Sequence, residues 1–434
     1  AADNNLEAAG IDDFLEMSSA GSDNDVNIIT LFDRNIGHSN SYDDWTDARR
    51  GIINTGDVPD TLWGESIGEV NMGNPQTLID FAQWGMGNYP ADRYALILWD
   101  HGSGWNKKTR EDSLIFKAVC GDDTGDYLFM AELRNALNTI ETNWQEPNLV
   151  GFDACLMGMI EVAYEIRQHA NVMVGSEKTE PNDGWPYDTI LPDLKANSAM
   201  NATSLGSTIV TRYYQSFGNS EILSAINLNS VASLVEKTNS FVQTLRNDWN
   251  SDMGICAAQA YAVMRAVKTA VTAEEHGTTW PGSHGLAIYF PEASGDFNAN
   301  YNGGTIQFPN DTEWEEFLQN FYNSMGGSWV ADARDNSQEY DVSSAAGCQC
   351  HHIDLYDFCE KIIDEASGIV WVDFSSEEVE NGSFSNPYNT LSEAVTAAAA
   401  GNTICIKTGS SPETITVSKA VRILACDGNV VIGE

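Results

Sequence analysis

Basic residues are scarce in this chain. Only 22 of its 434 residues are Lys or Arg, against 63 Asp or Glu, and the formal net charge is −41. A field of that sign repels phosphate backbones and leaves nucleic acid out as a partner. It also disfavours anionic membrane surfaces. Long apolar runs are missing too: none approaches the ~20 residues of a membrane-spanning helix. Cysteine is sparse. The eight residues are not spaced like a disulfide framework, and a chain this long does not need one. The chain opens at Ala1 with no Met and no signal peptide, which reads as a processed or excised N-terminus. What is present is a folding composition, 42% hydrophobic with 12 Trp, 15 Tyr and 16 Phe. Disordered acidic chains are poor in aromatics. At ~150 residues per domain the length allows two or three domains. The acid then belongs on the surface. That fits a secreted or cell-surface protein in a salty medium, or one that attracts cations, Ca2+ or basic peptides; composition does not choose between them.

Up to about Gly327, short apolar runs alternate with amphipathic stretches. Candidate strands are Val26–Phe32, Tyr94–Trp99, Leu149–Phe152, Val172–Gly175, Ile222–Ile226 and Leu286–Phe290. Several are apolar throughout, the pattern of strands buried on both faces. Helical patterns lie between them at Pro75–Met86, Met130–Ile140, Ser204–Phe217 and Ser230–Trp249. Another follows Cys155, marked by Leu156, Met159, Ile160, Ala163 and Ile166. This alternation predicts an α/β sandwich with a mostly parallel sheet. The predicted organisation is a first domain over 1–327, a linker with a Cys/His cluster over 328–367, and a final segment over 368–434. Four short strands are expected in that segment, at Thr403–Lys407, Thr414–Ser418, Val421–Ala425 and Val430–Ile432, as the beginning of a β solenoid.

The chemistry concentrates where two buried strands end. Tyr94–Trp99 runs into Asp100-His101-Gly102, and Leu149–Phe152 into Asp153-Ala154-Cys155, with a helix expected at once. In open α/β sheets, ligands bind beyond the carboxyl ends of the strands. Adjacent parallel strands would place His101 and Cys155 on one rim. Their separation of 54 residues is similar to the His-to-Cys spacing of about 50 in caspases. At a helix N-terminus a thiolate is favoured. The amides of Cys155 and Gly102 would hold an oxyanion, and His101 would pass a proton to the leaving amine. Asp153 pulls the other way, since a neighbouring carboxylate raises a thiol pKa. Its alternatives are a substrate-facing carboxylate and a helix N-cap.

Several stretches resemble the clostripain family of cysteine peptidases. They are AADNNLE (Ala1–Glu7), GEVNMGNPQTLIDFAQW (Gly68–Trp84), ALILWDHGSGW (Ala95–Trp105), VGFDACLMGMIEVAYEI (Val150–Ile166), EPNDGWPYDTIL (Glu180–Leu191) and GLAIYFP (Gly285–Pro291). The likeness runs from residue 1 to about 327, in the family's order. It implies a caspase-like α/β/α sandwich, a His101–Cys155 dyad, cleavage after Arg or Lys, and maturation by self-cleavage. Asp153 would sit in the specificity pocket, with Asp183 as a second acid or as a turn residue before Gly184. Lys107, Lys108, Arg110 and Lys117 would form a processing loop, or simply a solvated one. The resemblance also implies an apolar strand ahead of AADNNLE, near the centre of the sheet, which this chain does not carry. The segment HIDLYDF (His352–Phe358) resembles one expected before GLAIYFP rather than after it.

Weaker signals remain open. Asp122, Asp123 and Asp126 would suit Ca2+, or form a turn with a cap; no other cofactor is expected. Cys348, Cys350, His351, His352 and Cys359 offer a disulfide or, less simply, a zinc site. Cys405 and Cys426 either stack or bridge. The expected function is a secreted cysteine endopeptidase acting on Arg- or Lys-containing peptides or proteins. The alternative is a catalytically silent extracellular structural or adhesive protein that self-assembles on the same scaffold, by strand exchange between subunits.

Overall fold

A computed structural model describes residues 3–35, 37–105, 119–248, 251–291, 293–302, 304, 306–324, 328–337, 352–377 and 379–433. The chain forms two compact units. The first comprises Ala1–Ala232, Thr269–Asp311 and Glu339–Asp354; the second comprises Ser233–Lys268, Thr312–Gln338 and Leu355–Glu434.

The first unit is built on a five-stranded sheet. Its spatial order is Ala95–Trp99, Leu149–Asp153, Val172–Gly175, Ile222–Asn227 and Val271–His276. The first three strands run parallel and the last two pairings are antiparallel. The sheet is therefore mixed. Two helices, Tyr187–Ala196 and Ala202–Phe217, lie between the third and fourth strands, and an even number of helices returns the chain to the end it left. Leu149–Asp153 and Val172–Gly175 are buried at every residue, as their unbroken apolar sequences require. Ala202–Phe217 packs against the fourth and fifth strands, and Ile209, Val210 and Tyr213 form one core with Leu149, Val172 and Val174.

Ile29–Asp33 does not enter this sheet. It pairs with Ala48–Ile52, which pairs with Glu65–Gly68, in a separate antiparallel sheet. An apolar cavity of about 410 Å³ is lined by both Ile29–Asp33 and Ala95–Trp99, with Leu78, Phe81 and Leu191 among its walls. Among the described residues each of these two strands is the edge of its sheet. The GLAIYFP strand is Ala287–Tyr289, and its partner is His352–Asp354, antiparallel. The HIDLYDF segment thus follows GLAIYFP in sequence but lies beside it in space.

Within the second unit, residues 328–337 and 355–365, read from composition as linker, include the helices Ser328–Asn336 and Leu355–Glu365. Ile369–Val372, Thr403–Ile406 and Arg422–Ala425 pair in parallel, as do Gly409–Ser411 and Val430–Ile432. Thr414–Ser418 is not a strand; it is largely exposed, and Gly409–Ser411 forms one instead. Cys405 and Cys426 are disulfide-bonded. Among the described residues no helix is long and apolar enough to cross a membrane.

Candidate active site

Register sets the site. Trp99 pairs with Asp153 across the two parallel strands, and the Asp100 amide donates to the Asp153 carbonyl at 3.2 Å. Two residues further on, the strands release His101 and Cys155 at the same rim. Both line a cleft of about 30 Å³ together with Leu6, Asp153, Glu180 and Gly184.

The expected helix does not begin at once. It starts at Ile160. Between lies a turn in which Leu156 adopts φ +65°, a left-handed conformation costly for a branched side chain. The stabilisation of sulfur therefore comes from individual amides and not from a helix terminus. The Glu180 N–H lies 3.3 Å from Cys155 Sγ. Amides of Glu180, Cys155 and Gly102 favour the thiolate, while burial first, and the Asp153 charge, push the Cys155 thiol up. The Cys155 and Gly102 amides are the pair expected to hold an oxyanion.

Gly102 is required by its neighbour. A Cβ there would fall 2.2 Å from the Cys155 carbonyl oxygen. His101 Nε2 lies 3.0 Å from Asn5 Oδ1, and burial lowers the imidazole to about 4. At neutral pH the imidazole is uncharged and able to take a proton. Asp100 accepts from the His101 amide at 2.5 Å and from Asn4 Nδ2 at 2.8 Å.

Asp153 lies beside the cleft, 4% exposed. Its Oδ2 accepts from the Trp185 amide at 3.0 Å and the Tyr187 hydroxyl at 2.8 Å. Burial raises it to about 6. The second acid beside it is Asp13. Trp99 Nε1 donates to Asp13 Oδ2 at 2.5 Å. Burial and the Asp153 charge hold Asp13 well above the carboxylate range. Gly184, at φ +61°, covers both: a Cβ would come 2.7 Å from Asp13 Oδ2 and 3.2 Å from Asp153 Oδ2. Glu180 adds a third carboxyl, raised by burial and then by Asp153.

Asp183 is exposed and does not line the cleft. Sequence reasoning missed Asp13, whose signal was an acid on the core-facing side of a helix among Gly10, Ile11 and Phe14. Lys107, Lys108, Arg110 and Lys117 lie outside the described residues, as do Cys348, Cys350 and His351. Cys120 and Cys256 are buried, with thiols pushed up to about 12 by burial, and are inert by comparison.

A model of the clostripain family matches residues 1–424. The chain belongs to that family. Clostripain of Hathewaya histolytica is 32% identical to it over 226 residues, 46% of this chain and 42% of that protein. The match thus spans under half the length of that curated relative. A secreted C11 cysteine protease from Bacteroides thetaiotaomicron, solved with an irreversible peptide inhibitor, aligns with a TM-score of 0.54 at 18% identity. That alignment covers 72% of this chain and 97% of the other, and the likeness is one of fold. Family membership extends past the boundary at 327 that the motifs alone marked.

Proposed function

We propose that the chain is a secreted cysteine endopeptidase that cleaves after Arg or Lys. The observation that carries this reading is the Cys155 sulfur held by backbone amides in a cleft shared with His101 and bordered by Asp153. His101, neutral at rest, takes the thiol proton as Cys155 attacks the carbonyl carbon. Charge develops on the carbonyl oxygen beside the Gly102 and Cys155 amides, a stabilisation of about 3 kcal/mol per donor. His101 then gives its proton to the leaving amine, and water hydrolyses the acyl-enzyme. Asp153, ionised above about pH 6, binds an incoming guanidinium or ammonium by charge-assisted hydrogen bonds.

The test is labelling with an Arg-based, thiol-directed probe. Wild type should label and turn over Arg-ending substrates; Cys155→Ala should lose labelling and at least about a thousandfold in turnover. Equal labelling of both proteins overturns the reading. Self-cleavage belongs to the same proposal, and a single intact chain in active enzyme would remove it.

A further inference from the structure

We propose that Asn5 positions His101 for the reaction: its side-chain oxygen accepts the imidazole Nε2–H and leaves Nδ1 as the atom that takes the Cys155 proton. This role rests on the function proposed above and adds a residue to it.

The observation that carries it is a contact between the ring and the start of the chain. His101 Nε2 lies 3.0 Å from Asn5 Oδ1. An amide oxygen has no proton to give, so the ring nitrogen facing it is the donor. In a neutral imidazole the hydrogen bond at one nitrogen decides where the lone pair sits. With Nε2 protonated, the basic lone pair is on Nδ1.

Two neighbouring asparagines divide the work. Asn4 Nδ2 donates to Asp100 Oδ1 at 2.8 Å, and the same oxygen accepts the His101 amide at 2.5 Å. Asn4 thus holds the His101 backbone, and Asn5 holds its ring. The next residue, Leu6, lines the cleft with Cys155. These three residues lead directly into helix Glu7–Ala20.

The segment is braced at both ends. Before it, Asp3 Oδ2 accepts the Asp123 amide at 3.0 Å. After it, Glu7 meets Arg34 Nε at 2.6 Å, with both side chains fully buried. Arg34 also donates to the carbonyls of Ser39, Ser41 and Tyr42. Asn5 itself is exposed. Its neighbours fix its place, and its own side chain fills no core.

An amide suits this position better than an acid. Asp153 and Glu180 already border the cleft, and the Asp153 charge pushes the Cys155 thiol up. A further carboxylate would orient the ring but add to that repulsion. Asn5 orients it without charge. When Nδ1 takes the thiol proton the ring becomes cationic, and its bond to Asn5 becomes charge-assisted. The proton leaves from Nδ1 to the departing amine, and Asn5 neither gains nor loses one.

The experiment uses the full chain with isotope-labelled histidine nitrogens at about pH 8, with His101→Gln to identify the His101 signals. kcat and KM are measured alongside on an Arg-ending substrate. Wild-type His101 should show Nε2 protonated and Nδ1 bare. Asn5→Ala should mix the two tautomers and lower kcat at least about tenfold, with KM changed less than about twofold. It should melt close to wild type, since the side chain is exposed. Asn5→Asp keeps an accepting oxygen and should restore the ring signals and most of kcat. Nδ1 protonated in wild type, ring signals unchanged in Asn5→Ala, or a loss confined to KM overturns the proposal. A wild type that fails to turn over Arg-ending substrates overturns the proposed function instead; the ring signals, read on the resting protein, still decide whether Asn5 sets the tautomer.

Discussion

The first unit holds two groups of buried acids. Asp153 borders the cleft of Cys155 with Asp13 beside it under Gly184, and the two are met by side-chain and backbone donors, namely Trp99 Nε1, the Trp185 amide and the Tyr187 hydroxyl. Asp3, Asp33 and Asp122 are met chiefly by backbone amides, and among the described residues one oxygen of Asp33 has no donor. The chemistry is the same and the access differs. Asp153 borders the cleft that holds Cys155, so under the proposed function its cation would arrive on a peptide side chain. The second is buried and borders no part of that cleft. In a chain of net charge −41, where a carboxylate is placed matters more than how many there are.

The comparison breaks most sharply at Asp153. Asp153→Asn should lower kcat/KM for Arg substrates roughly a hundredfold, about 3 kcal/mol, because it removes the charge opposite a buried cation. A citrulline substrate, which is uncharged, should lose far less. Equal losses on both would take Asp153 out of the specificity pocket.

Acidity gives the next largest effect. Asp153 is raised to about 6 and His101 lowered to about 4. For a basic substrate, kcat/KM should therefore fall as pH drops through about 6, about tenfold per unit below it. The sign for stability is opposite. A carboxyl whose folded pKa is raised favours the fold below its unfolded value of about 4, and that contribution is lost as pH rises through about 6. Asp153→Asn should then melt higher than wild type at pH 8 but not at pH 4. A variant that melts lower at both pH values would contradict this sign.

The smallest effect is expected at Asp183. Its side chain is exposed, so Asp183→Asn should change Arg-substrate turnover by less than about twofold, within the usual range of surface substitutions. A selective loss on basic substrates would restore it as a pocket residue and displace Asp13.

The two groups also differ in how readable they were. His101, Cys155 and Asp153 were legible because each sits at or just past a buried strand, and strand ends define the rim of an α/β sheet. Asp13 was not, because only the tertiary packing of helix Glu7–Ala20 brings it under Gly184. Asp3, Asp33 and Asp122 come together across more than a hundred residues of sequence, and no local spacing encodes that meeting. The turn at Asp122 was visible, but its partners were not. Val271–His276 escaped notice because half-exposed Glu and Thr side chains hide the apolar alternation of an edge strand. The helix after Cys155 was placed too early because the i, i+3, i+4 pattern continues through a turn that only the backbone angle of Leu156 reveals.

The cavity beside Ala95–Trp99 has a consequence for motion. Among the described residues, Leu149–Asp153, which leads to Cys155, is flanked by a strand on each side; Ala95–Trp99, which leads to His101, has one on a single side and the cavity on the other. Local opening costs least where neighbours are fewest. Amide protons of Ala95–Trp99 should therefore exchange with deuterated solvent well before those of Leu149–Asp153. The proposed dyad would then rest on one stiff support and one compliant one, with the residue proposed to carry the proton, not the proposed nucleophile, riding on the part that gives.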